Sequence, residues 1–166
     1  SRSAATSSCS SIIAGAGPNR TLLDPMCGTG GLLVEAGLVG SRVVGVDAQR
    51  KMVRGARRNL QHFLPDGYGL ASGDATRLPI RDNTADGVVF DAPYGRQSKV
   101  VGDHESLVVG ALEEARRVAP RAVVVGDRSW ADSARTVGWT VVATHERRTH
   151  RSLTRHIVVL SRGPDR

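Results

Sequence analysis

The sequence predicts an α/β fold in which helices cover both faces of a mostly parallel, doubly wound sheet of seven strands. Short apolar segments alternate with amphipathic segments of helical length along most of the chain, which is typical of parallel strands joined by crossover helices. The last two apolar segments are too close together for such a helix, which indicates a C-terminal antiparallel hairpin. With 166 residues and 40% hydrophobic content, the chain is expected to form one compact domain.

The first strand follows a lead-in of uncertain structure. Residues 1–19 are rich in Ser, Ala and Gly, and we assign them no function. We expect the folded domain to occupy residues 20–166. Its first buried strand, Leu22 and Leu23, ends at Asp24, and a glycine-rich loop over residues 24–31 then opens a helix that stops at Gly40.

Strands and helices continue to alternate beyond this helix. A second strand at residues 43–46 ends at Asp47 and precedes a helix over residues 48–63. Further strands are predicted at residues 68–72, 87–90 and 122–125, and a helix at residues 107–118. The final strands, residues 139–144 and 156–160, are joined by the polar residues 145–155 and should pair as an antiparallel hairpin at or near the sheet edge.

The charge balance favours a polyanionic partner. The formal net charge is +7, and each phosphate that Arg or Lys neutralises releases condensed counterions. A GC-rich genome could produce the same arginine bias without any binding role. Two cysteines are too few for a disulfide framework, and no apolar run approaches the roughly 20 residues that span a bilayer. We therefore expect a soluble, cytoplasmic chain with no membrane association.

Three aspartates each follow an apolar strand. Asp24, Asp47 and Asp74 should consequently lie along the carboxyl edge of the sheet, where open α/β folds bind ligands. Each aspartate taken singly could instead be a helix cap or a turn former. Together with the glycine-rich loop, they indicate a binding site.

The glycine-rich loop departs from the spacing of a dinucleotide-binding loop, G-x-G-x-x-G. S-adenosylmethionine carries no phosphate, so a loop preceded by an acidic residue suits it better. Asp24 can hold the ammonium group of this cofactor, Asp47 the ribose hydroxyls and Asp74 the adenine amino group. The sequence therefore predicts S-adenosylmethionine as the cofactor.

A second motif, Asp91-Ala92-Pro93-Tyr94, follows the apolar strand at residues 87–90. An acidic side chain, a stiff turn and an aromatic ring form a compact receptor for a flat base that bears an amine. The Asp91 carboxylate and the Pro93 carbonyl can accept the amine hydrogens, and Tyr94 can stack on the base. The alternative is a turn that packs Tyr94 on the core.

These motifs resemble those of class I amino-group methyltransferases. Gly95-Arg96 and the basic segment at residues 150–157 narrow the resemblance to the catalytic domain of archaeal tRNA (guanine-10, N2)-methyltransferases, a THUMP-associated family. The resemblance covers about residues 21–161 and implies a Rossmann-like fold and a tRNA substrate. Ala92 stands where many relatives carry a second proline, but we expect activity to tolerate it.

The resemblance also assigns roles to individual residues. The catalytic set is Asp91, Pro93 and Tyr94. The cofactor set is Asp24, Cys27, Gly28, Thr29, Gly30, Asp47, Ala48, Asp74, Ala75 and Asp91. The substrate set is Ala92, Tyr94, Gly95, Arg96, Arg147, Arg151 and Arg155. No metal is expected, because the histidines show no metal-ligand spacing. Trp130 and Trp139 are expected to pack in the core rather than stack on a base.

Two further interpretations stay open at the sequence level. The same strand-end geometry serves N6-adenine and glutamine N5 methyltransferases, and a non-catalytic RNA-binding or cofactor-sensing domain could keep the fold. The resemblance implies an N-terminal THUMP-containing region that grips tRNA, and we expect none in these residues, so that the sequence is either the catalytic domain only or captures its substrate differently. We therefore expect S-adenosylmethionine binding with weak or absent tRNA methylation by this chain alone. The sequence does not indicate an oligomeric state.

Overall fold

The computed structural model describes residues 14–94 and 101–163 as an α/β fold with one seven-stranded sheet. The strands are β1 Thr21–Asp24, β2 Arg42–Asp47, β3 Tyr68–Ser72, β4 Gly87–Asp91, β5 Arg121–Gly126, β6 Thr140–His150 and β7 Leu153–Ser161. The helices are α1 Gly31–Leu38, α2 Arg50–Phe63, α3 Val101–Val118 and α4 Ala131–Thr136. The predicted fold class is confirmed.

The strand order explains where a site can form. The sheet runs β3-β2-β1-β4-β5-β7-β6, and β3, β2, β1, β4 and β5 are parallel. β1 lies between β2 and β4, so the chain order reverses at β1. Parallel strands end at the same edge of a sheet, and such a reversal opens a crevice there.

Helices cover the two faces of the sheet with separate apolar layers. Side chains that follow each other along a strand face opposite sides, so Leu22 packs with α1 and α2 while Leu23 packs with α3 and α4. Trp130 and Trp139 are both buried on the second face, and the indole N–H of Trp139 donates to the Leu112 carbonyl at 2.9 Å. Their predicted packing role is confirmed.

Residues 73–86 connect β3 to β4 without forming a helix. Instead, the guanidinium group of Arg117 on α3 donates to the Ile80 carbonyl at 2.8 Å and to Asp82 at 2.7 Å. Arg117 also donates to Glu114 at 2.7 Å, and the Leu78 amide donates to the same carboxylate at 2.8 Å. This network holds the connection against α3 and supports the turn at Asp74.

The C-terminal hairpin is longer than the sequence pattern indicated. Residues 145–155, expected as a polar connection, belong almost entirely to β6 and β7, with the turn at residues 151–152. The prediction of a hairpin is confirmed, with β6 at the sheet edge and β7 between β5 and β6. The two strands satisfy each other's backbone groups, so polar side chains on both faces do not interrupt them.

The outer part of this hairpin projects from the sheet. The last residue of β5, Gly126, pairs with His156, whereas Arg155 and Leu153 pair only with β6. At about 3.3 Å per residue, the projection reaches roughly 10 Å beyond the carboxyl edge. We call residues 147–155 the projecting ribbon.

The chain packs on the sheet before the predicted domain boundary at residue 20. Ala14 is fully buried in the layer under α1 and α2. The amide of Gly17 donates to the hydroxyl of Ser41 at 2.7 Å, and this hydroxyl donates back to the Gly17 carbonyl at 3.1 Å. Within the described part of the chain, no helix is long and apolar enough to cross a membrane.

Candidate active site

Three aspartates converge at the reversal of strand order. Asp24 ends β1, Asp47 ends β2 and Asp91 ends β4. They are close enough that the charges of Asp91 and Asp47 both raise the pKa of Asp24. The carboxyl edge therefore carries a cluster of acidic side chains, made up of Asp24, Asp47 and Asp91.

Asp24 lies at the buried centre of this cluster. Its side chain is 2% exposed, and this burial raises its pKa to about 8. The Met26 amide donates to Asp24 Oδ1 at 3.0 Å and offsets part of the shift. Because burial raises the pKa by more than the Met26 hydrogen bond lowers it, the Asp24 carboxyl group holds a proton at neutral pH unless a cation lies beside it.

Asp47 fixes the glycine-rich loop. Its Oδ2 accepts the Gly28 amide and its Oδ1 accepts the Gln49 amide, each at 2.9 Å. The amides of Cys27 and Gly30 also donate inside the protein, to the carbonyls of Val46 and Cys27. Three amides of the loop, those of Cys27, Gly28 and Gly30, therefore already donate inside the protein and are not free to hold a phosphate.

Glycine is required where the loop turns into α1. Gly30 has φ +86°, and a Cβ there would sit 3.4 Å from the Cβ of Ala56 on α2. Gly28 has φ +53°, and a Cβ there would meet nothing within 4 Å. Both residues adopt the left-handed region, and the space above Gly28 is open to a ligand. Thr29 is exposed beside it.

Asp74 follows β3 on an exposed turn. Its Oδ1 accepts the Thr76 amide at 2.8 Å and the Thr76 hydroxyl at 2.7 Å, and these bonds lower its pKa. Asp74 is therefore ionised at neutral pH. The neighbouring Ala75 is buried with the core, whereas Ala48, after β2, is exposed.

Asp91 presents a buried acceptor that the described residues leave unpaired. Burial raises its pKa, and the positive charge of Arg155 partly offsets that rise. Its Oδ1 has no hydrogen-bond partner among the described residues. A buried carboxylate oxygen without a donor costs about 1–3 kcal/mol or more, so this atom is suited to accept an N–H group from a ligand.

The turn after Asp91 exposes one aromatic ring. The Ala92 amide donates to the Val125 carbonyl at 2.7 Å and its methyl group is buried, so Ala92 anchors the turn. Tyr94, beyond Pro93, is 44% exposed. The predicted alternative, a Tyr94 packed on the core, is not what the structure contains.

Arg155 reaches this turn from β7. Burial and the charge of Asp91 raise the pKa of Tyr94, whereas the charge of Arg155 and a hydrogen bond from its side chain lower it. Arg155, at the inner end of the projecting ribbon, therefore lies beside the Asp91 carboxyl group and the Tyr94 ring. Arg147 and Arg151 are exposed farther along the same ribbon. Gly95 and Arg96 lie outside the described residues.

Two features of the site escaped the sequence interpretation. Asp127, directly after β5, is near enough to affect the pKa of Tyr94. Like Asp24, it is an aspartate at the carboxyl end of a parallel strand, so the same sequence pattern could have identified it. The proximity of Arg155 to Asp91 had no sequence signal, because it depends on β7 pairing beside β5.

Cys27 packs inside the loop. Burial raises the pKa of its thiol to about 12, with smaller contributions from Asp24 and Asp47. The thiol is consequently neutral and a poor nucleophile. Over residues 14–94 and 101–163, no group of His, Cys, Asp or Glu side chains is arranged to hold a metal ion.

A separate cavity of about 900 Å³ opens at the opposite edge of the sheet. It is lined by residues at the amino ends of the strands, among them Thr21, Arg42 and Tyr68. None of the predicted site residues lines it. The chemistry that the sequence predicts therefore belongs to the carboxyl edge.

The carboxyl edge combines two binding functions. A cluster of acidic residues, beside a loop in which the Cys27, Gly28 and Gly30 amides already donate within the protein, favours a ligand that is positively charged and rich in hydroxyl and amino groups. The unpaired oxygen of Asp91 and the exposed Tyr94 ring favour a flat partner with an N–H donor. The arrangement can hold these two partners side by side.

Comparisons with known proteins show the family of this chain. The family described as UPF0020, RMKL-like, methyltransferase domain, matches residues 5–157. The tRNA (guanine(10)-N2)-dimethyltransferase of Pyrococcus abyssi is 34% identical over 146 residues, which cover 85% of this chain and 44% of that protein. The chain thus spans less than half the length of this curated relative.

Solved structures share the fold. TrmN from Thermus thermophilus matches with a TM-score of 0.79 at 19% identity, over 95% of this chain and 48% of that one. Magnesium protoporphyrin IX methyltransferase from Synechocystis, solved with bound SAM, matches with a TM-score of 0.73 at 17% identity, over 98% and 79%.

Proposed function

The chain belongs to the RMKL-like methyltransferase family, and from this premise we propose that it methylates the exocyclic N2 amine of a guanosine in tRNA, using S-adenosylmethionine. The observation that carries the proposal is the buried, unpaired Oδ1 of Asp91 beside the exposed Tyr94 ring. The substrate is the one named for the relative from Pyrococcus abyssi. A tRNA substrate would place the protein in the cytoplasm.

The residues of the carboxyl edge fit the cofactor. S-adenosylmethionine supplies an electrophilic methyl group on a positively charged sulfur, and its amino group is also cationic. Asp24 would bind the amino group, Asp47 the ribose hydroxyls and Asp74 the adenine amine. A positive charge beside Asp24 would favour its ionised form, which its burial otherwise opposes. The cofactor-binding site would also be lined by the loop residues Cys27, Gly28, Thr29 and Gly30 and by Ala48 and Ala75.

Asp91 and Pro93 would orient the reacting amine. The N2 lone pair is delocalised into guanine, so the nitrogen must be held in line with the methyl group while its hydrogens are bound. Asp91 Oδ1 and the Pro93 carbonyl would accept these two hydrogens. The nitrogen gains the methyl group and loses one proton, and the raised pKa of Asp91 makes its carboxylate a competent acceptor.

The remaining substrate residues would hold the base and the RNA. Tyr94 would stack on the guanine after it leaves its helix. Arg155 would keep Asp91 and Tyr94 in position, and Arg147 and Arg151 on the projecting ribbon would contact phosphates. Ala92 would act through the geometry of its turn. Gly95 and Arg96 stay in the proposed set on the strength of the resemblance.

Nucleoside analysis tests the proposal directly. The purified chain would be incubated with S-adenosylmethionine and an unmodified tRNA transcript, and the digested nucleosides identified by mass spectrometry. We expect N2-methylguanosine at a low yield, because tRNA capture in the relatives depends on a further region. Formation of N6-methyladenosine instead would contradict the guanine assignment, and absence of cofactor binding in calorimetry would contradict the methyltransferase assignment.

Replacing Asp91 separates catalysis from binding. We expect Asp91→Ala to lower the methyl-transfer rate by about 10²–10⁴-fold, because the variant loses both the hydrogen-bond acceptor and the proton acceptor. The affinity for S-adenosylmethionine should change much less. A variant that kept its full rate would exclude Asp91 from the chemistry, and a protein that binds RNA equally well but never methylates it would be a binding module.

A further inference from the structure

The helix α2 carries a dense set of positive side chains. Its 14 residues include Arg50, Lys51, Arg54, Arg57 and Arg58 and no acidic residue. All five are exposed, and none forms an ion pair with another residue of the described chain. We call these five side chains the α2 basic face.

The five charges share one side of the helix. At about 100° per residue, they fall within an arc of roughly 120°, while Val53, Ala56 and Leu60 are buried on the opposite side. Along the axis, the set extends over roughly 12 Å. The charges therefore form a continuous stripe and are not spread around the helix.

This stripe is unfavourable for the helix that bears it. Arg54 lies three or four residues from each of the other four basic residues. Such like-charge pairs destabilise a helix by about 0.2–0.5 kcal/mol each. Arg50 and Lys51 also stand in the first turn, where the helix dipole favours negative groups and where no acidic residue is present. An anionic partner would remove both costs.

The first turn of α2, which carries Arg50 and Lys51 of the basic face, lies next to the candidate active site. α2 begins three residues after Asp47, and the side-chain amide of Asn59 donates to the Thr29 carbonyl of the glycine loop at 2.8 Å. Asp47 and Asp91 are separated by β1 alone in the sheet, a lateral distance of roughly 10 Å. The projecting ribbon lies on the other side of Asp91, past β5.

We propose that the α2 basic face binds the phosphate backbone of the RNA substrate, so that the RNA crosses the carboxyl edge between α2 and the projecting ribbon. This inference rests on the proposed function for the identity of the RNA. Its physical basis is charge complementarity, since phosphates are the groups that neutralise a row of arginines. The target base would then enter the Asp91 site between two backbone contacts.

A charge-neutral variant tests the inference. Arg50→Gln, Arg54→Gln and Arg58→Gln would be combined in the full chain, because Gln keeps a helix propensity close to that of Arg. The probe is a fluorescein-labelled unmodified tRNA transcript, and its dissociation constant would be measured by anisotropy from about 50 to 200 mM salt. We expect at least a tenfold loss of affinity at low salt and a salt slope smaller by about 2.

A matched control removes the same charge elsewhere. Arg42, Arg81 and Arg121 are exposed near the amino edge of the sheet, away from the proposed RNA path. The triple Gln variant at these positions should lose less than threefold in affinity. Calorimetry with S-adenosylmethionine should give the wild-type affinity for both variants. If calorimetry detected no binding of S-adenosylmethionine to the wild-type chain, the proposed function itself would fail.

Three results would overturn the inference. The first is an α2 variant whose affinity and salt slope match those of the control variant. The second is an absence of RNA binding by the wild-type chain at about 50 mM salt. The third is a loss of affinity for poly-glutamate, in the α2 variant, that is as large as its loss of affinity for tRNA. That result would assign the surface to an acidic polypeptide.

Discussion

Burial of the Asp24 carboxyl group couples the stability of this protein to pH. In the unfolded chain the group has its ordinary pKa of 3.8, whereas burial raises it to about 8 in the fold. The folded state therefore binds the proton more tightly. The contribution of this one group to stability is highest below its unfolded pKa, falls as pH rises through the interval from 3.8 to about 8, and is constant above that interval.

Asp24→Asn should remove this dependence. The Asn side-chain oxygen can still accept the Met26 amide, but the buried charge is gone. We expect the variant to match the wild type near pH 4 and to exceed its free energy of unfolding by roughly 2–4 kcal/mol near pH 8. Urea denaturation at several pH values measures this difference. A difference that is the same at both pH values would show that burial of Asp24 costs the fold nothing.

The Tyr94 ring should matter more than its hydroxyl group. Loss of base stacking costs about 1–3 kcal/mol, so Tyr94→Ala is expected to lower kcat/KM for tRNA by roughly 10–100-fold. Tyr94→Phe keeps the ring and loses only the hydrogen bond from Arg155, so it should stay within about threefold of the wild type. Steady-state kinetics with tRNA as the varied substrate distinguishes the two. Equal losses in both variants would argue against stacking.

At the scale of elements, the contact between β4 and the segment before β1 is the least expected one. A Cβ at Gly87 would overlap the backbone carbonyl of Ala14, which cannot move aside as a side-chain end can. We expect Gly87→Ala to destabilise the protein by about 1–3 kcal/mol. Gly69→Ala, on β3, is the control, because a Cβ there meets nothing within 4 Å.

Chemical denaturation of both glycine variants measures this effect. Gly69→Ala should stay within about 0.5 kcal/mol of the wild type. If Gly87→Ala were equally neutral, the packing of Ala14 on the sheet would not contribute to stability. The compositional boundary at residue 20 would then be the physical one as well.

The helices and hairpin differ in how readily the sequence predicts them. α2 was anticipated because Met52, Val53 and Leu60 lie on one side of a charged segment, and Val53 and Leu60 are buried in the structure. The length of the hairpin was missed because His145 to His150 in β6 lack any buried side chain. Only the pairing with β7 holds this segment extended, and pairing is not encoded in a local pattern.

At the scale of the whole molecule, the charge of the carboxyl edge should select its ligand. A ligand that binds only the folded state stabilises it by about 2.7 kcal/mol at 100 times its dissociation constant. For a chain of this size, S-adenosylmethionine at that concentration should raise Tm by about 5–10 °C. Differential scanning fluorimetry measures this shift.

ATP is the control ligand for this experiment. It carries the same adenosine group, but its phosphates would face Asp24, Asp47 and a loop in which the Cys27, Gly28 and Gly30 amides already donate within the protein. ATP at equal concentration should therefore leave Tm unchanged within about 1 °C. A larger shift with ATP would indicate a phosphate site that the geometry of this loop does not predict.

The sequence by itself determined the fold class, the strand-end aspartates and the two motifs at Asp24 and Asp91. These features are local, because apolar periodicity, turn residues and strand ends each depend on a few adjacent residues. What only the tertiary structure decided is which of these groups act on each other. Long-range pairing of β7 beside β5 brings Arg155 to Asp91 and Tyr94. Burial of Asp24 and the unpaired oxygen of Asp91 likewise depend on the packed sheet, since desolvation is a property of the whole environment of a group.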